Sequence, residues 1–425
     1  MNIPQLHQLY LESSGICTDT RNIQRNNLFF ALSGTNFNGN QFAAEALKKG
    51  AFKAVIDDEK YSSDNSVLVE DCLITLQALA QYHRRYLALK IISITGSNGK
   101  TTTKELLTQV LQQKYKVVAT KGNLNNHIGV PLTLLGMTTE TEIGIVEMGA
   151  NHQGEIKALC QIAEPNYGFI TNFGKAHLEG FGGIEGVIRG KSELYDYLMA
   201  NNQTVFMNIE DKIQQEKTKD YSKRISIGNN QEADYPINSY TKEFQACIKY
   251  KEKEISSQLT GSYNSSNMAA ATGIGLYFDV KIEKIQEAIK NYIPSNNRSQ
   301  RLDLNGNQII LDAYNANPSS MALAIENIVS LPAKRKILIL GDMFEIGSTS
   351  HKEHQQIVNI LETLNVELAL ICGENFYKTE TEKVLAFQQF EDLQKYLSKN
   401  SIKDSTILIK GSRGMQLERL IELWK

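Results

Sequence analysis

A glycine-rich segment, TGSNGKTT at positions 95–102, constrains the fold of this chain more than any other feature. It follows a β-branched run at 91–95 and precedes a helical pattern that starts at Lys100. Such a turn lets backbone N–H groups converge on phosphate oxygens, and the helix N-terminus adds a positive partial charge. The sequence therefore predicts a phosphate-binding loop, in which Lys100 reaches the terminal phosphates of a nucleotide and the Thr101 hydroxyl binds Mg²⁺. The loop has the short G-x-x-G-K-T form because Ile94 stands where the longer form has glycine; a turn with a purely geometrical role is the alternative.

The rest of the chain alternates short apolar runs with longer helical patterns, which favours parallel βαβ units. Only the stretch from about 233 to 260 departs from this alternation, and there we expect a few antiparallel strands at the edge of a sheet. A polar break at 294–299 resembles a linker. We therefore predict an α/β protein of three domains: a small α/β N-terminal domain (1–86), a central P-loop mononucleotide-binding domain with a mainly parallel sheet (87–295) and a C-terminal Rossmann-like α/β domain (296–425).

Composition narrows the classes of partner. The 425 residues carry 45 Lys+Arg against 47 Asp+Glu, so the formal charge of −2 gives no reason to expect nucleic acid or an anionic membrane surface. The five cysteines form no C-x-x-C pair, which argues against a disulfide framework or a zinc cage. No apolar run approaches the roughly 18 residues of a membrane span, and no signal-peptide pattern opens the chain. We expect a cytoplasmic protein that functions as a monomer.

Several polar residues follow the predicted strands. Glu147 ends a buried strand beside the phosphate loop, where a carboxylate is suited to bind a metal ion, although a surface acid is the alternative. His177 follows the next strand and Lys191 lies in the helix after it; their spacing alone favours a structural histidine and a solvated lysine. Asn264 and Asn267 share one face of an apolar helix, where they would contact a base or cap the helix.

The last third of the chain contains two more strand–turn–helix segments. In DAYNANP at 312–318, Pro318 suits the first turn of a helix, so that Asn317 would be its N-cap. In KGSRG at 410–414, a strand again leads through glycine into a predicted helix at 412–423, a geometry that suits an anion.

Taken in order, these segments resemble the Mur ligases, the ATP-dependent amide-forming enzymes of peptidoglycan precursor synthesis, over nearly the whole chain. Within that family the sequence is similar to the members that add D-alanyl-D-alanine to UDP-N-acetylmuramoyl-tripeptide. Two departures stand out: NGN at 38–40 replaces an acidic-Gly-His stretch, and Ala313 replaces a serine. The matching segments are Thr18–Arg21, Leu28–Gly34, Gly122–Pro131, Asp312–Pro318, Gly341–Gly347 and Lys410–Arg413.

The resemblance implies a reaction and its cofactors. ATP would activate the tripeptide carboxylate as an acyl phosphate, ADP would leave, and the dipeptide amine would complete a C–N bond, in the last cytoplasmic step of the pentapeptide precursor. ATP and two Mg²⁺ ions would be needed, and no nucleic acid. The alternatives are another Mur-type or folylpolyglutamate-type amide ligase, or a P-loop ATPase or kinase.

The resemblance also implies residue roles. The catalytic set would be Lys100, Glu147, His177 and Lys191, the lysine as a carbamate, with metal ligands from Thr101, Glu147 and His177. Arg298 matches the linker arginine that approaches the phosphates, although Arg301 is close enough to compete for that role. Substrate contacts would come from Thr18, Asp19, Thr20, Arg21, Asn125, Asn126 and Arg413. ATP contacts would come from Gly96, Ser97, Asn98, Gly99, Lys100, Thr101, Thr102, Asn264, Asn267, Arg298, Asp312 and Asn315.

Overall fold

The computed structural model describes residues 1–243, 245–294 and 297–425. Within these ranges the chain forms three α/β units in sequence order, built on sheets of four, nine and six strands, with one further two-stranded hairpin. The predicted fold class is confirmed. The proposed boundary between residues 295 and 296 lies outside the described residues. No helix in the described part of the chain is long and apolar enough to cross a membrane.

The first unit is a small parallel sheet in the order β1-β2-β5-β6, with the hairpin β3–β4 beside it. Its strands are β1 (Ile16–Cys17), β2 (Leu28–Phe30), β3 (Ser33–Gly34), β4 (Phe37–Asn38), β5 (Lys53–Ile56) and β6 (Ser66–Leu68), and its helices are α1 (Ile3–Glu12), α2 (Ala43–Lys48) and α3 (Cys72–Leu87). All of β2 is buried, as its apolar run predicts. Helix α3 begins after Asp71, whose side chain accepts a hydrogen bond from the N–H of Ile74. One apolar cluster continues from this unit into the next, so the two units share a core.

The central unit is a nine-stranded sheet in the order β15-β14-β13-β12-β11-β10-β7-β9-β8. Its strands are β7 (Lys90–Thr95), β8 (Val117–Ala119), β9 (Ile143–Glu147), β10 (Tyr167–Ile170), β11 (Thr204–Asn208), β12 (Arg224–Gly228), β13 (Tyr235–Lys242), β14 (Gln245–Tyr250) and β15 (Lys253–Thr260). Its helices are α4 (Lys100–Leu111), α5 (Gly129–Leu135), α6 (Glu155–Ala163), α7 (Leu178–Phe181), α8 (Ile184–Ala200), α9 (Lys212–Lys217), α10 (Ser262–Tyr277) and α11 (Ile282–Asn291). The strands from β7 to β13 pair in parallel, and the β13–β14 and β14–β15 pairs are antiparallel, which confirms the predicted change of pattern at this edge.

The third unit is a six-stranded sheet in the order β16-β17-β21-β18-β19-β20, antiparallel only between β16 and β17. Its strands are β16 (Gln300–Leu304), β17 (Asn307–Asp312), β18 (Lys336–Gly341), β19 (Leu368–Cys372), β20 (Leu385–Phe387) and β21 (Thr406–Lys410), and its helices are α12 (Pro318–Ser330), α13 (Ser350–Thr363), α14 (Glu374–Tyr377) and α15 (Phe390–Lys399). The helix predicted at 412–423 is wrong as an α-helix. Two 3₁₀ segments, Arg413–Met415 and Leu417–Leu423, take its place, since Gln416 adopts a left-handed conformation (φ 49°) that breaks the helical run.

Strand register determines which loops meet. Ile94 of β7 pairs with Glu147 of β9, so the phosphate loop and the end of β9 share one edge of the central sheet. In the third unit Asp312 pairs with Lys410, which brings the ends of β17 and β21 together. Ligands of open α/β sheets bind beyond the carboxyl ends of the strands, and here two such edges face each other.

Candidate active site

A cleft of about 830 Å³ opens between the central unit and the third unit. Its lining includes every predicted nucleotide contact except Gly96, which lies in the loop at its wall. The predicted substrate residues Asn125 and Asn126 and the predicted metal ligands also line it, together with Lys410. The cleft therefore collects residues that are spread over more than 300 positions of the sequence.

The phosphate loop keeps its shape through contacts with the segment after β10. Thr171 Oγ1 donates a hydrogen bond to the carbonyl of Asn98 (2.5 Å), and the N–H of Asn98 donates to Asn172 Oδ1 (3.1 Å). Gly96 has φ 138°, and a Cβ there would lie 2.0 Å from Thr171 Oγ1. Gly99 has φ 80°, and a Cβ would lie 2.6 Å from Asn267 Oδ1. Glycine is therefore required at both positions for backbone conformation and for space.

Lys100 points back over this loop. Its Nζ donates hydrogen bonds to the carbonyls of Gly96 (2.7 Å) and Ser97 (3.2 Å). Burial lowers the pKa of Lys100 to about 8; the Glu147 carboxylate opposes this shift, and the charge of Arg298 adds to it. A phosphate group beside the ammonium would favour its charged form, so the site is built to gain from binding an anion here.

Glu147 is a buried carboxylate that has not satisfied all of its hydrogen-bonding capacity. Its Oε1 accepts hydrogen bonds from Thr101 Oγ1 (3.2 Å) and Asn125 Nδ2 (2.8 Å). Its Oε2 is buried without a hydrogen-bond partner among the described residues, and Lys104 Nζ lies 3.8 Å away. A carboxylate oxygen of this kind beside a threonine hydroxyl fits Mg²⁺, which takes one or two carboxylates and completes its shell with water and phosphate oxygens. In keeping with such a sparse donor set, the described residues contain no group of three or more His, Cys, Asp or Glu side chains placed to hold a metal ion by themselves.

His177 and Lys191 have surroundings that the sequence did not indicate. His177 has a left-handed backbone (φ 52°), and its Nδ1 lies 2.5 Å from Glu345 Oε2 of the third unit. Lys191 is fully buried, donates to the carbonyl of Ala150 (3.0 Å) and lies 5.0 Å from the ring of Phe181. The interpretation of Lys191 as a solvated charge is therefore wrong.

Burial determines the chemistry of Lys191. Desolvation lowers its pKa well below the usual lysine value, and the charge of Lys100 adds to this effect, while Glu155 and Glu193 oppose it. A lowered pKa favours the neutral amine, which is the nucleophilic form and the form that can add to carbon dioxide. Lys191 lies behind the cleft wall and contacts Ala150, one of its lining residues.

Asn264 and Asn267 form a buried amide chain at the other end of the cleft. Asn264 Nδ2 donates to the carbonyl of Thr260 (2.7 Å), and Asn267 Nδ2 donates to Asn264 Oδ1 (3.1 Å). Thr103 Oγ1 donates to Asn267 Oδ1 (3.1 Å). The alternative in which Asn264 caps the helix is wrong, because α10 begins at Ser262 and its N-cap is Gly261.

The ends of β17 and β21 meet through an ion pair. Lys410 Nζ lies 2.6 Å from Asp312 Oδ2 and donates to the carbonyl of Asn315 (3.1 Å). The other carboxylate oxygen of Asp312 accepts from the N–H of Ser299 (3.1 Å). Asp312 is therefore held in place at the cleft and ties the linker to the third sheet.

Three arginines were candidates for contacts in or near the cleft. Arg298 lines the cleft, with its guanidinium carbon 3.8 Å from the centroid of the Tyr314 ring. Arg301 lies in β16 and is not among the lining residues. Arg413 is largely exposed, lies 5.9 Å from the same ring and donates to Glu418 (3.2 Å). On placement, Arg298 is the better candidate for a phosphate contact.

Contacts across the cleft were missed at the sequence level. Asn317 Nδ2 donates to Asn98 Oδ1 of the phosphate loop (2.7 Å), while its Oδ1 caps α12 as predicted. Lys175 Nζ lies 2.8 Å from Glu353, and its N–H donates to Ser319 Oγ (2.9 Å). These partners are separated by 144 to 219 positions, so no local pattern could have identified them.

The predicted substrate segments lie mostly on the first unit and at its border. Asp19 caps a 3₁₀ turn at 20–22 and pairs with Arg21 (2.7 Å), whose side chain is 86% exposed. Asn126 Oδ1 accepts from the N–H of Gly129 (2.9 Å) at the start of α5. Asn40, at the departure from the family pattern, exchanges two hydrogen bonds with Asp57, so this position serves the internal structure of the unit.

Three family models match the chain in order: the Mur ligase catalytic domain over residues 12–89, the Mur ligase middle domain over 94–275 and the Mur ligase glutamate ligase domain over 297–413. This chain belongs to the Mur ligase family. The Mur ligase described here is 33% identical to the UDP-N-acetylmuramoyl-tripeptide–D-alanyl-D-alanine ligase of Bacillus subtilis, over 99% of this chain and 94% of that protein. It is 32% identical to the ligase of the same name from Haemophilus influenzae, over 96% and 92%.

Solved structures agree with this assignment. The MurF structure from Acinetobacter baumannii has a TM-score of 0.85 at 27% identity and covers 99% of this chain and 98% of that one. The MurF ligase from Thermotoga maritima, solved with ADP, has a TM-score of 0.85 at 26% identity and covers 97% of both chains. The enzyme class, an ATP-dependent ligase, follows from the family, and nucleotide binding agrees with the ADP complex of that relative.

Proposed function

We propose that this Mur ligase adds D-alanyl-D-alanine to UDP-N-acetylmuramoyl-tripeptide, with hydrolysis of ATP to ADP and phosphate, as a cytoplasmic monomer. The observation that carries the proposal is the single cleft in which the phosphate loop, a buried strand-end carboxylate and Arg298 converge, in a chain that aligns over its full length with ligases of that name. The boundaries 1–86, 87–295 and 296–425 then separate a UDP-sugar domain, an ATP domain and a domain for the dipeptide.

The reaction consists of two transfers. A carboxylate oxygen of the tripeptide attacks the γ-phosphorus of ATP, the bond to the bridging oxygen breaks, and ADP leaves. The neutral amine of the dipeptide then attacks the acyl carbon, loses a proton and expels inorganic phosphate. Both steps bring anions together or move negative charge, so positioned cations should supply most of the catalysis.

Lys100 and Arg298 are the residues to which we assign this electrostatic role. Lys100 would move from the loop carbonyls to the β- and γ-phosphates, and Arg298 would approach the same phosphates from the linker. Asn264 and Asn267 would contact adenine, and Asp312 and Asn315 would close over the nucleotide from the third unit. Exclusion of water from the closed cleft would protect the acyl phosphate from hydrolysis.

Mg²⁺ fits the residues present: one ion at Thr101 and Glu147, and a second at His177 with a carbamate of Lys191, would neutralise phosphate charge. Support for the first is the buried Oε2 of Glu147, which accepts no hydrogen bond from the described residues. Support for the carbamate is the lowered pKa of Lys191, since only the neutral amine reacts with carbon dioxide.

For the substrate contacts we propose the residues that the sequence predicted. We propose that the Thr18–Arg21 segment, with Asp19 and Thr20, holds the UDP end. Asn125 and Asn126 line the same cleft as the phosphate loop, which suits the muramoyl-peptide. Arg413, exposed at the end of β21, has the charge to attract a dipeptide carboxylate.

The decisive experiment measures phosphate release while each substrate is omitted in turn. We expect release to require both the UDP-muramoyl-tripeptide and the dipeptide, and a run with diaminopimelate and lysine tripeptides would identify the preferred third residue. Phosphate release that requires neither the tripeptide nor the dipeptide would support an ATPase or kinase instead. Use of a folate or of an earlier muramoyl precursor would support another amide ligase.

A further inference from the structure

Arg298 differs from the other cations of the cleft in what surrounds its guanidinium. It lies over the aromatic ring of Tyr314, with 3.8 Å between the guanidinium carbon and the ring centroid. Its Nε is buried and has no hydrogen-bond partner among the described residues. Arg298 lines the same cleft as Lys100. A buried guanidinium donor without an acceptor is costly, and the cost disappears when an anion binds.

Tyr314 lies in a short segment that is held in place at both ends. Two residues before it, Asp312 is fixed by Lys410 and by the N–H of Ser299. Three residues after it, Asn317 caps α12 and donates to Asn98 in the phosphate loop. The ring therefore projects from a braced turn, and its position relative to the phosphate loop is fixed when the cleft is closed.

We propose that Tyr314 is a positioning residue of the ligase reaction: its ring holds the Arg298 guanidinium beside Lys100, ready for the nucleotide phosphates. This inference rests on the proposed function. Lys100 and Arg298 repel each other, so before ATP binds the guanidinium would gain by moving away into water. The negative face of an aromatic ring offsets this repulsion without neutralising the cation.

The same geometry argues against a direct role for this ring face in binding adenine. A guanidinium at 3.8 Å occupies the face, so a base cannot stack on it there. An acidic partner would also fix the arginine, but it would repel the phosphates. An aromatic ring provides orientation and leaves the full positive charge for the ligand.

The test begins with single variants of Tyr314, studied as the full-length enzyme with all substrates. We expect Tyr314→Leu to lower kcat/KM for ATP by about 2- to 30-fold, the range that corresponds to about 0.5–2 kcal/mol for a cation–π contact, with KM for the dipeptide nearly unchanged. Tyr314→Phe keeps the ring face and should lower kcat/KM less than threefold. Tyr377 is an exposed tyrosine of the same unit, so Tyr377→Leu is the control and should have the same kcat/KM for ATP as the parent enzyme.

A double-mutant cycle with Arg298→Ala separates a positioning role from any other. Arg298→Ala alone should lower kcat/KM for ATP by about 100-fold, as expected for removal of a cation that stabilises transferred charge. Because Tyr314 acts through Arg298, Tyr314→Leu should have almost no further effect in the Arg298→Ala background. Binding of ADP, followed by calorimetry, should show the same non-additivity without turnover.

Three results would overturn the proposal. The first is that Tyr314→Leu has the kcat/KM for ATP of the parent enzyme. The second is that Tyr314→Leu lowers this kcat/KM equally with and without Arg298. The third is a tenfold loss of kcat/KM from Tyr314→Phe, which would assign the effect to the hydroxyl. The last result applies even when the leucine variant does not fold. If the parent enzyme fails to join the dipeptide to the tripeptide, the proposed function fails; if the parent ligates and the cycle is additive, only the role of Tyr314 fails.

Discussion

Asn317 performs two tasks with one side chain, and a single substitution can separate them. Its Oδ1 accepts from the N–H of Ser320 and caps α12, while its Nδ2 reaches across the cleft to Asn98 Oδ1 at 2.7 Å. Serine caps a helix about as well as asparagine does but is shorter and has no amide group. Asn317→Ser should therefore keep the helix and remove only the contact between the third unit and the phosphate loop.

The size of the effect follows from the bond that is lost. A neutral hydrogen bond contributes about 0.5–1.5 kcal/mol, and this one joins the third unit to the phosphate loop across the cleft. Losing it should lower the population of the closed form, and with it kcat/KM for ATP, by about 2- to 13-fold. The thermal midpoint should change little. Asn317→Ala removes the cap as well and should cost a further 0.5–2 kcal/mol or so of unfolding free energy.

Steady-state kinetics with ATP varied, combined with thermal unfolding, test this reasoning. Asn2→Ser is the matched control, because Asn2 also caps a helix through a capping box and is followed by a proline in the first turn, but in α1 of the first unit. A cycle with Asn98→Ala should give a coupling energy of about 0.5–1.5 kcal/mol. The reasoning is refuted if Asn317→Ser matches the parent in kcat/KM, or if its effect persists in full when Asn98 is alanine.

Three further outcomes are expected. Lys100→Ala should abolish phosphate release and ligation while circular dichroism remains that of the parent; parent-like turnover would contradict the phosphate-loop assignment. Glu147→Gln should raise the Mg²⁺ concentration needed for half-maximal rate at least tenfold, and an unchanged Mg²⁺ dependence would contradict the metal role. His7 and His83 are buried and joined by a 2.9 Å hydrogen bond, and burial lowers the pKa of both. Since the unfolded chain then binds protons that the native state does not, the free energy of unfolding should decrease as pH falls below about 6.5. His83→Gln should flatten that dependence in denaturant titrations, and an unchanged slope would contradict it.

The parts of the fold that the sequence predicted are those governed by local periodicity. The β-branched run of β7, the glycine turn and the helix α4 follow one another within some twenty residues, so short-range preferences determine them. The edge strands β13 to β15 were also visible, because alternation of polar and apolar residues marks a half-buried strand. The run at 412–423 was misjudged because Gln416 has no feature that reveals its left-handed backbone.

The site was predictable where one segment carries the chemistry and not where two distant segments share it. The phosphate loop and Glu147 could be inferred from position relative to strands. The burial of Lys191 could not, because the residues that cover it, Phe181 and Ala150, come from other elements. The stack of Arg298 on Tyr314 also depends on where the linker crosses the third sheet, which no local pattern records.

Charge pairing explains why a net charge of −2 is compatible with a ligand as anionic as ATP. Three lysines in or near the cleft pair with a carboxylate: Lys410, which lines it, with Asp312, and Lys104 and Lys175 with Glu147 and Glu353. Within the described part of the chain, Lys100 and Arg298 line the same cleft without an ion-pair partner. In the proposed reaction the phosphates of ATP would therefore meet two cations at defined positions instead of a diffuse positive surface. Lys100 belongs to the phosphate loop, and by our proposal Arg298 depends on the ring of Tyr314 in the third unit, so we expect full electrostatic stabilisation to require the closed arrangement of the units.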